Sequence, residues 1–169
     1  MSQFDEHVTF NPQIFKHSKP PMVVFDIDET LVNNYPLYKA DEYVYKPDSW
    51  EKWVEDATAA AIQPVVDTLT ALVEQGANVV LITGRREVSR DATVRNLNYI
   101  GITDKMYHSL VLRSPDEDGL SASEYKMLRR KGLAQEFSIV GCVGDQYSDC
   151  AGGYTGNSVK LPNYMYFIA

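Results

Sequence analysis

Residues 22–32 have the sequence MVVFDIDETLV, an apolar run that ends in two aspartates one residue apart. A short apolar run bounded by a turn is typical of a strand covered on both faces, as in a parallel sheet. Ligands of such sheets gather at the carboxyl ends of the strands. Strand geometry would place Asp26 and Asp28 on one side, where two like charges are costly without a cation or a shared proton. The pair therefore predicts a metal site, a catalytic site, or both.

Two other interpretations of the acidic pair are an ordinary acidic turn and a calcium-binding loop. An EF-hand loop that began at Asp26 would need glycine where Leu31 stands and glutamate where Leu37 stands, so the calcium loop fails. An acidic turn is the simplest interpretation of an isolated pair. Three further signals along the chain favour a functional site instead.

The first signal is a second apolar run, residues 78–82, which is followed by Thr83, Gly84, Arg85 and Arg86 before a helical segment. Cations at the N-terminus of a helix oppose the helix dipole, so an anion is expected nearby. The hydroxyl of Thr83 and the N–H groups after it suit phosphate oxygens, although Thr83 could equally be an N-cap. Pairing with a nearby acidic residue is the alternative for the arginines.

The other two signals are a lysine and a second acidic pair. Lys126 lies near the start of a basic helix, and taken alone it would be interpreted as a solvated lysine. Asp145 and Asp149 follow an apolar run at 138–143, and a helical turn after Gly144 would place them on one face. Either could be an ordinary helix cap. Together with the first pair they supply enough hard oxygen ligands for Mg²⁺.

In this order, the segments FDIDETLV, LITGR, YK and GDQYSD resemble the four motifs of the haloacid dehalogenase superfamily of aspartyl-nucleophile phosphatases. The chain is most similar to the subfamily IIIB acid phosphatases, which include bacterial class C enzymes and plant vegetative storage proteins. The resemblance extends from about Pro21 to Ile168. It implies a haloacid dehalogenase-like, Rossmann-like α/β fold with strand order 5-4-1-2-3, which puts the Asp26 strand at the centre.

The resemblance also implies a mechanism. Asp26 would attack phosphorus and form an aspartyl-phosphate, while Asp28 would protonate the leaving oxygen and later deprotonate the attacking water. Mg²⁺ would be held by Asp26, the main-chain carbonyl of Asp28, and Asp145. Asp149 would orient these ligands, directly or through water.

The resemblance implies that residues of the second and third motifs bind the substrate. Thr83 would bind the phosphoryl group with Gly84 and Arg85 beside it, and Lys126 would screen the charge shared by the nucleophile and the phosphate. The expected substrate is a small phosphomonoester, with nucleoside monophosphates first and sugar phosphates second. The alternatives are a phosphotransferase or other chemistry of the superfamily, and a storage or binding relative that has lost catalysis.

Strand-like runs alternate with helical segments along the chain, which predicts βαβ units and a doubly wound parallel sheet. With 169 residues and 44% hydrophobic content, the chain is predicted to be a single domain, residues 1–169. The predicted strands are 22–27, 78–83, 109–113, 138–143 and 164–168, and the predicted helices are 64–75, 86–100 and 121–135.

Residues 33–63 interrupt this alternation and are predicted to form a small helical cap insert, with one helix at 48–61. The insert is rich in aromatic residues, and some of its tyrosines could stack against a nucleobase or another ring of a substrate. Trp50 and Trp53, at a spacing of three, are interpreted as part of the insert's own core. A short cap leaves the site open and leaves room for a second subunit, so a homo-oligomer is one expectation.

Composition narrows the expected partners. The net charge of −7 disfavours a nucleic acid. Because no apolar run reaches about 18 residues and no signal peptide is recognisable, we expect no membrane partner and a cytoplasmic protein. A secreted or periplasmic protein is the alternative if a leader is removed.

Residues 1–21 are predicted to form an extended arm over the sheet edge. The two cysteines, Cys142 and Cys150, predict neither a zinc site nor a disulfide framework.

Overall fold

A computed structural model describes residues 19–168, so the predicted N-terminal arm lies almost entirely outside the described residues. Along the chain the elements are β1 (Pro21–Phe25), β2 (Val32–Asn33), α1 (Tyr35–Ala40), α2 (Pro47–Asp56), β3 (Ala60–Ala61), α3 (Gln63–Glu74), β4 (Asn78–Arg86), α4 (Arg90–Tyr99), β5 (Ser109–Arg113), α5 (Ala122–Leu133), β6 (Ser138–Gly144) and β7 (Asn157–Lys160). Among residues 19–168, no helix has the length and apolar character needed to cross a lipid bilayer.

The centre of the fold is a five-stranded parallel sheet with the order β5-β4-β1-β6-β7. When its strands are numbered along the chain, this is the predicted order 5-4-1-2-3 with β1 at the centre. The predicted α/β fold is therefore confirmed.

Alternate residues of β1 belong to two separate hydrophobic cores, one on each face of the sheet. Phe25 is buried in a cluster with Leu69 of α3 and Leu97 of α4. Val24 is buried in a second cluster with Tyr125 of α5. Because successive side chains of a strand point to opposite faces, this pattern places α3 and α4 on one side of the sheet and α5 on the other.

Both strands that flank β1 are in register with it at its carboxyl end. Phe25 is paired with Leu81 of β4 and with Val143 of β6, both in parallel register. The residues that follow these positions therefore emerge together at the carboxyl edge of the sheet, where the sequence predicts the site.

The predicted strand at 164–168 is wrong, because the fifth strand is β7 and residues 161–168 follow it without regular structure. All four residues of β7 are exposed, so this edge strand lacks the apolar pattern that marks a covered strand. One aromatic side chain of this segment packs against the insert instead of forming a strand. The ring of Tyr166 stacks on Tyr38 of the insert, with 4.9 Å between ring centroids.

The predicted helices α3 and α5 agree with the structure to within two residues at each end. Helix α4 begins later than predicted, because β4 continues to Arg86 and a short 3-10 turn follows it. Thr83 consequently lies within a strand, which removes its interpretation as an N-cap. The insert contains two helices, α1 and α2, instead of one, and the antiparallel pair of β2 and β3 closes its base.

Candidate active site

Asp26 follows the central strand and is buried at the carboxyl edge of the sheet, with 5% of its surface exposed. Its main-chain N–H donates to Val143 O at 3.0 Å, which continues the pairing with β6. Its carboxylate accepts hydrogen bonds from Lys126 Nζ at 2.5 Å and from Thr30 Oγ1 at 3.3 Å. Burial raises the pKa of Asp26 well above its usual range; Lys126 opposes the rise and nearby carboxylates add to it.

Lys126 reaches this edge from the first turns of α5. The helix begins with a capping box in which Ser121 Oγ accepts from Glu124 N–H and the Glu124 carboxylate accepts from Ser121 N–H. Lys126 Nζ lies 2.5 Å from carboxylate oxygens of both Asp26 and Asp149. Burial alone would lower the pKa of Lys126, but the two carboxylates outweigh it and raise that pKa above its ordinary value. Lys126 is therefore a buried cation between two acids.

Asp26, Asp145 and Asp149 form a carboxylate cluster in which one oxygen of each residue lies within 4.8 Å of the others. All three are buried, and burial also raises the pKa of Asp145, against hydrogen bonds from Asn163 and Gln146. Three carboxylates beside one lysine leave two negative charges unbalanced when all are ionised. A divalent cation bound by oxygen ligands would balance them, so the residues fit such an ion.

The loop that follows β6 is shaped by a glycine and an arginine. A Cβ atom at Gly144 would overlap the side chain of Asp149, so only glycine allows this close approach. Arg130 of α5 is fully buried, and its guanidinium donates to the main-chain oxygens of Asp149, Ala151 and Gly153. The position of Asp149 is therefore fixed from both sides of its loop.

Asp28 lies beside the carboxylate cluster and is held by two side chains. Arg85 Nη2 donates to Asp28 Oδ1 at 2.7 Å and Arg85 Nε donates to Oδ2 at 3.0 Å, which is a bidentate ion pair. Asn34 Nδ2 donates to Oδ1 at 2.9 Å. Both carboxylate oxygens of Asp28 thus accept hydrogen bonds.

The residues of the LITGR motif have different surroundings. Among the described residues, Gly84 and Arg85 line the cleft above the cluster, but Thr83 does not. Thr83 is fully buried, and its hydroxyl accepts a hydrogen bond from Arg85 N–H at 3.1 Å. The guanidinium of Arg85 contacts Asp28, whereas the sequence left open either a phosphate or a nearby acidic residue as the anion beside the arginines. The predicted roles of Thr83 and Arg85 in binding substrate therefore remain predictions.

Several polar residues of the site are absent from the sequence prediction. Glu29 is buried, and burial together with Asp28 raises its pKa to about 7. It accepts hydrogen bonds from Asn34 N–H at 2.7 Å and from the hydroxyl of Tyr166. Thr30 contacts Asp26 directly. Their only signal in the sequence is that they directly follow the acidic pair.

A cleft of about 960 Å³ opens above the carboxylate cluster and Asp28. Aromatic side chains line it on the side away from the sheet. These residues come from the insert and from residues 161–168, and they are Tyr38, Tyr43, Tyr45, Trp50, Tyr166 and Phe167. Lys126, Arg85 and Arg86 supply positive charge on the sheet side. The cleft can therefore accept a small molecule that has an anionic end and an apolar or aromatic end.

The strand order and the carboxylate cluster define a haloacid dehalogenase-like α/β protein. The chain belongs to the haloacid dehalogenase superfamily, subfamily IIIB (acid phosphatase), whose sequence profile matches residues 2–169. The membership predicted from the four motifs is therefore confirmed.

Individual relatives include enzymes and storage proteins of plants. Acid phosphatase 1 of Solanum lycopersicum is 41% identical over 150 residues, which cover 86% of this chain and 58% of that protein. Vegetative storage protein 1 of Arabidopsis thaliana is 31% identical, with 86% of this chain and 54% of that protein covered. The chain thus spans less than two thirds of the length of these relatives.

A solved structure supports the same family. The class C acid phosphatase from Bacillus anthracis superposes with a TM-score of 0.77 at 25% identity, covering 92% of this chain and 71% of that one. The bacterial enzyme has also been crystallised with tungstate bound.

Proposed function

We propose that this chain is a Mg²⁺-dependent phosphatase that releases phosphate from small phosphomonoesters through an aspartyl-phosphate on Asp26. The observation that carries the proposal is the contact of Lys126 Nζ, at 2.5 Å, with carboxylate oxygens of Asp26 and Asp149. A phosphomonoester dianion is repelled by a carboxylate nucleophile, and Lys126 lies where it lowers that repulsion. Membership of the acid phosphatase subfamily supports the same activity.

In the first half of the reaction, a carboxylate oxygen of Asp26 attacks phosphorus as the bond to the leaving oxygen breaks. Asp28 gives its proton to that oxygen, so the alcohol leaves in neutral form. Lys126 remains charged throughout and screens the negative charge shared by Asp26 and the phosphoryl group. The product of this half is the aspartyl-phosphate and the free alcohol.

In the second half, water attacks the phosphorus of the aspartyl-phosphate and Asp28 removes a proton from that water. The bond from phosphorus to the Asp26 oxygen then breaks, which releases inorganic phosphate and restores both carboxyl groups. The ion pair with Arg85 and the hydrogen bond from Asn34 hold the carboxyl group of Asp28 in position for both proton transfers. The carboxylate cluster and the main-chain carbonyl of Asp28 would hold Mg²⁺, which supplies positive charge to the phosphoryl oxygens when bound.

The aromatic side of the cleft supports a leaving group that carries a ring. Tyr45 and Trp50 line the cleft opposite the sheet, and their faces can stack on a nucleobase or an aryl group. Nucleoside monophosphates are therefore the first proposed substrates and sugar phosphates the second. The bacterial relative has been crystallised with tungstate, an oxyanion, which supports an anionic group as part of the ligand.

The proposal is tested by release of inorganic phosphate from a panel of nucleoside, sugar and aryl phosphates. We expect activity with Mg²⁺, loss of activity with EDTA, and recovery when Mg²⁺ is restored in excess. A chain that releases no phosphate from any member of the panel with Mg²⁺ would be a storage or binding relative instead.

A phosphotransferase is separated from a hydrolase in the same assay. Glycerol is added as an acceptor, and the released alcohol is compared with the released phosphate. A hydrolase gives equal amounts, whereas a transferase releases more alcohol than phosphate because the phosphoryl group passes to glycerol.

A further inference from the structure

We propose that Asn34 is a positioning residue for Asp28, and that the insert helix α2 fixes the orientation of the Asn34 amide through Trp53. The proposal deepens the proposed function and rests on it, since Asp28 is the acid and base there. It assigns to the insert a part in proton transfer besides its contact with the leaving group.

Asn34 is fully buried, and its side-chain amide donates two hydrogen bonds and accepts one. Its Nδ2 donates to Asp28 Oδ1 at 2.9 Å and to Glu29 Oε2 at 3.2 Å. Its Oδ1 accepts from Trp53 Nε1 at 2.8 Å. The side chain therefore joins the acidic segment after β1 to the insert helix.

Only one orientation of this amide is compatible with its neighbours. An indole N–H is a donor and never an acceptor, so Trp53 requires the oxygen of Asn34 to face it. The oxygens of Asp28 and Glu29 that face Asn34 act as acceptors, so they require its NH₂ group. An amide turned by a half rotation would place oxygen against two carboxylates and NH₂ against an N–H donor. Trp53 thus ensures that Asn34 presents a donor to Asp28.

Arg85, the other residue that holds Asp28, is also in contact with α2. The ring of Trp50 lies under the guanidinium of Arg85, with 5.8 Å between Cζ and the ring centroid. The two tryptophans of α2 therefore each contact one of the two residues that bind Asp28. The sequence interpretation, in which these tryptophans form only the core of the insert, omitted this contact with the site.

The test compares Asn34→Ala with the control Asn33→Ala. Asn33 is the neighbouring asparagine, and its side chain accepts a hydrogen bond from Tyr35 N–H at 2.9 Å. Values of kcat/KM are measured for phosphomonoesters whose leaving groups range from p-nitrophenol through phenol to a simple alcohol. This ratio reports the steps up to departure of the leaving group, and only poor leaving groups need a proton from Asp28.

For Asn34→Ala we expect a loss of about 10²-fold with the alkyl phosphate and less than about 3-fold with p-nitrophenyl phosphate. Asn33→Ala should leave the whole series unchanged. An equal loss of kcat/KM for all leaving groups in Asn34→Ala would mean that Asn34 is merely structural and would overturn the proposal.

A milder variant decides the question if Asn34→Ala fails to fold. Trp53→Phe retains an aromatic ring and removes only the N–H donor, so the Asn34 amide loses the contact that orients it. We expect the same dependence on the leaving group, with a loss of kcat/KM of about 10-fold for the alkyl phosphate. A leaving-group dependence identical to that of the wild type in Trp53→Phe would refute the orienting role.

Asp28→Asn separates this proposal from the proposed function. If Asp28→Asn steepens the leaving-group dependence but Asn34→Ala does not, the function stands and the positioning role is wrong. If Asp28→Asn leaves the dependence unchanged, the assigned role of Asp28 is wrong and the positioning role falls with it.

Discussion

The two sides of the cleft differ in burial and in chemical character. On the sheet side, Lys126 and the carboxylate cluster are each no more than 5% exposed. On the insert side, Tyr43 and Tyr45 are 52% and 61% exposed. Buried charges gain their strength from fixed partners in a medium of low dielectric constant, whereas exposed rings contribute by contact area. The contrast indicates that the sheet side determines the reaction and the insert side determines which leaving group is preferred.

The largest expected effect is that of Asp26→Asn, which removes the nucleophile and retains the shape of the side chain. Turnover should fall by at least about 10³-fold, because the amide is a poor nucleophile. Acid-quenched mass spectrometry should detect phosphorylated protein for the wild type and none for the variant. The exposed residue Asp116 provides a control, Asp116→Asn, with unchanged turnover. Full activity in Asp26→Asn would contradict the role given to the sheet side.

Lys126→Met should have the next largest effect. Methionine retains much of the length of the side chain but leaves Asp26 and Asp149 without their shared cation. We expect kcat/KM to fall by about 10² to 10³-fold for every substrate, whatever its leaving group. Lys131→Met, an exposed lysine on the same helix, should be neutral. A loss confined to aromatic substrates would break the division between the two sides.

Asp145→Asn tests the cation site by binding instead of by rate. The variant removes one negative charge from the carboxylate cluster, so the Kd for Mg²⁺ measured by calorimetry should rise by about 10 to 100-fold. Activity should recover in part at high Mg²⁺ concentration. An unchanged Kd would show that Asp145 does not contribute to the site.

The smallest effect is expected on the insert side. Tyr45→Ala removes an exposed ring from the cleft, so KM for nucleoside or aryl phosphates should rise by about 3 to 10-fold with little change in kcat. KM for a small alkyl phosphate should stay the same. Tyr99→Ala, an equally exposed tyrosine at the end of α4, is the matched control. A fall in kcat with an unchanged KM would assign Tyr45 to the chemistry instead.

The sheet and its acidic edge could be predicted because each buried strand has a continuous apolar run and ends in a polar motif. The pairing of Asp26 with Lys126, 100 residues apart, followed from the family resemblance and from the strand ends. The exposed strand β7 could not be predicted in this way, since it has no apolar face. The aromatic run at 164–168 has strong strand character, yet it forms no strand, and its Tyr166 contacts the insert and Glu29 instead.

The surroundings of Asp28 were beyond prediction for a different reason. Asn34 and Arg85 bind it and Trp53 in turn binds Asn34, and local sequence contains no signal for hydrogen bonds between side chains from separate parts of the chain. The spacing of the two tryptophans indicated correctly that they share a helix face. Their polar contacts depend on how that helix is docked, which only the tertiary structure determines.

The buried arginine of α5 has a consequence for how this scaffold can be altered. Arg130 holds its loop through main-chain oxygens alone, and every residue type supplies such an oxygen. The side chain at Ala151 can therefore be exchanged without removing the hydrogen bond that its main-chain oxygen accepts from Arg130. Position 151 is thus suited to library design, where new contacts could be introduced beside a reaction centre that keeps its own support, whereas Gly152 and Gly153, with φ of +79° and +86°, are best retained.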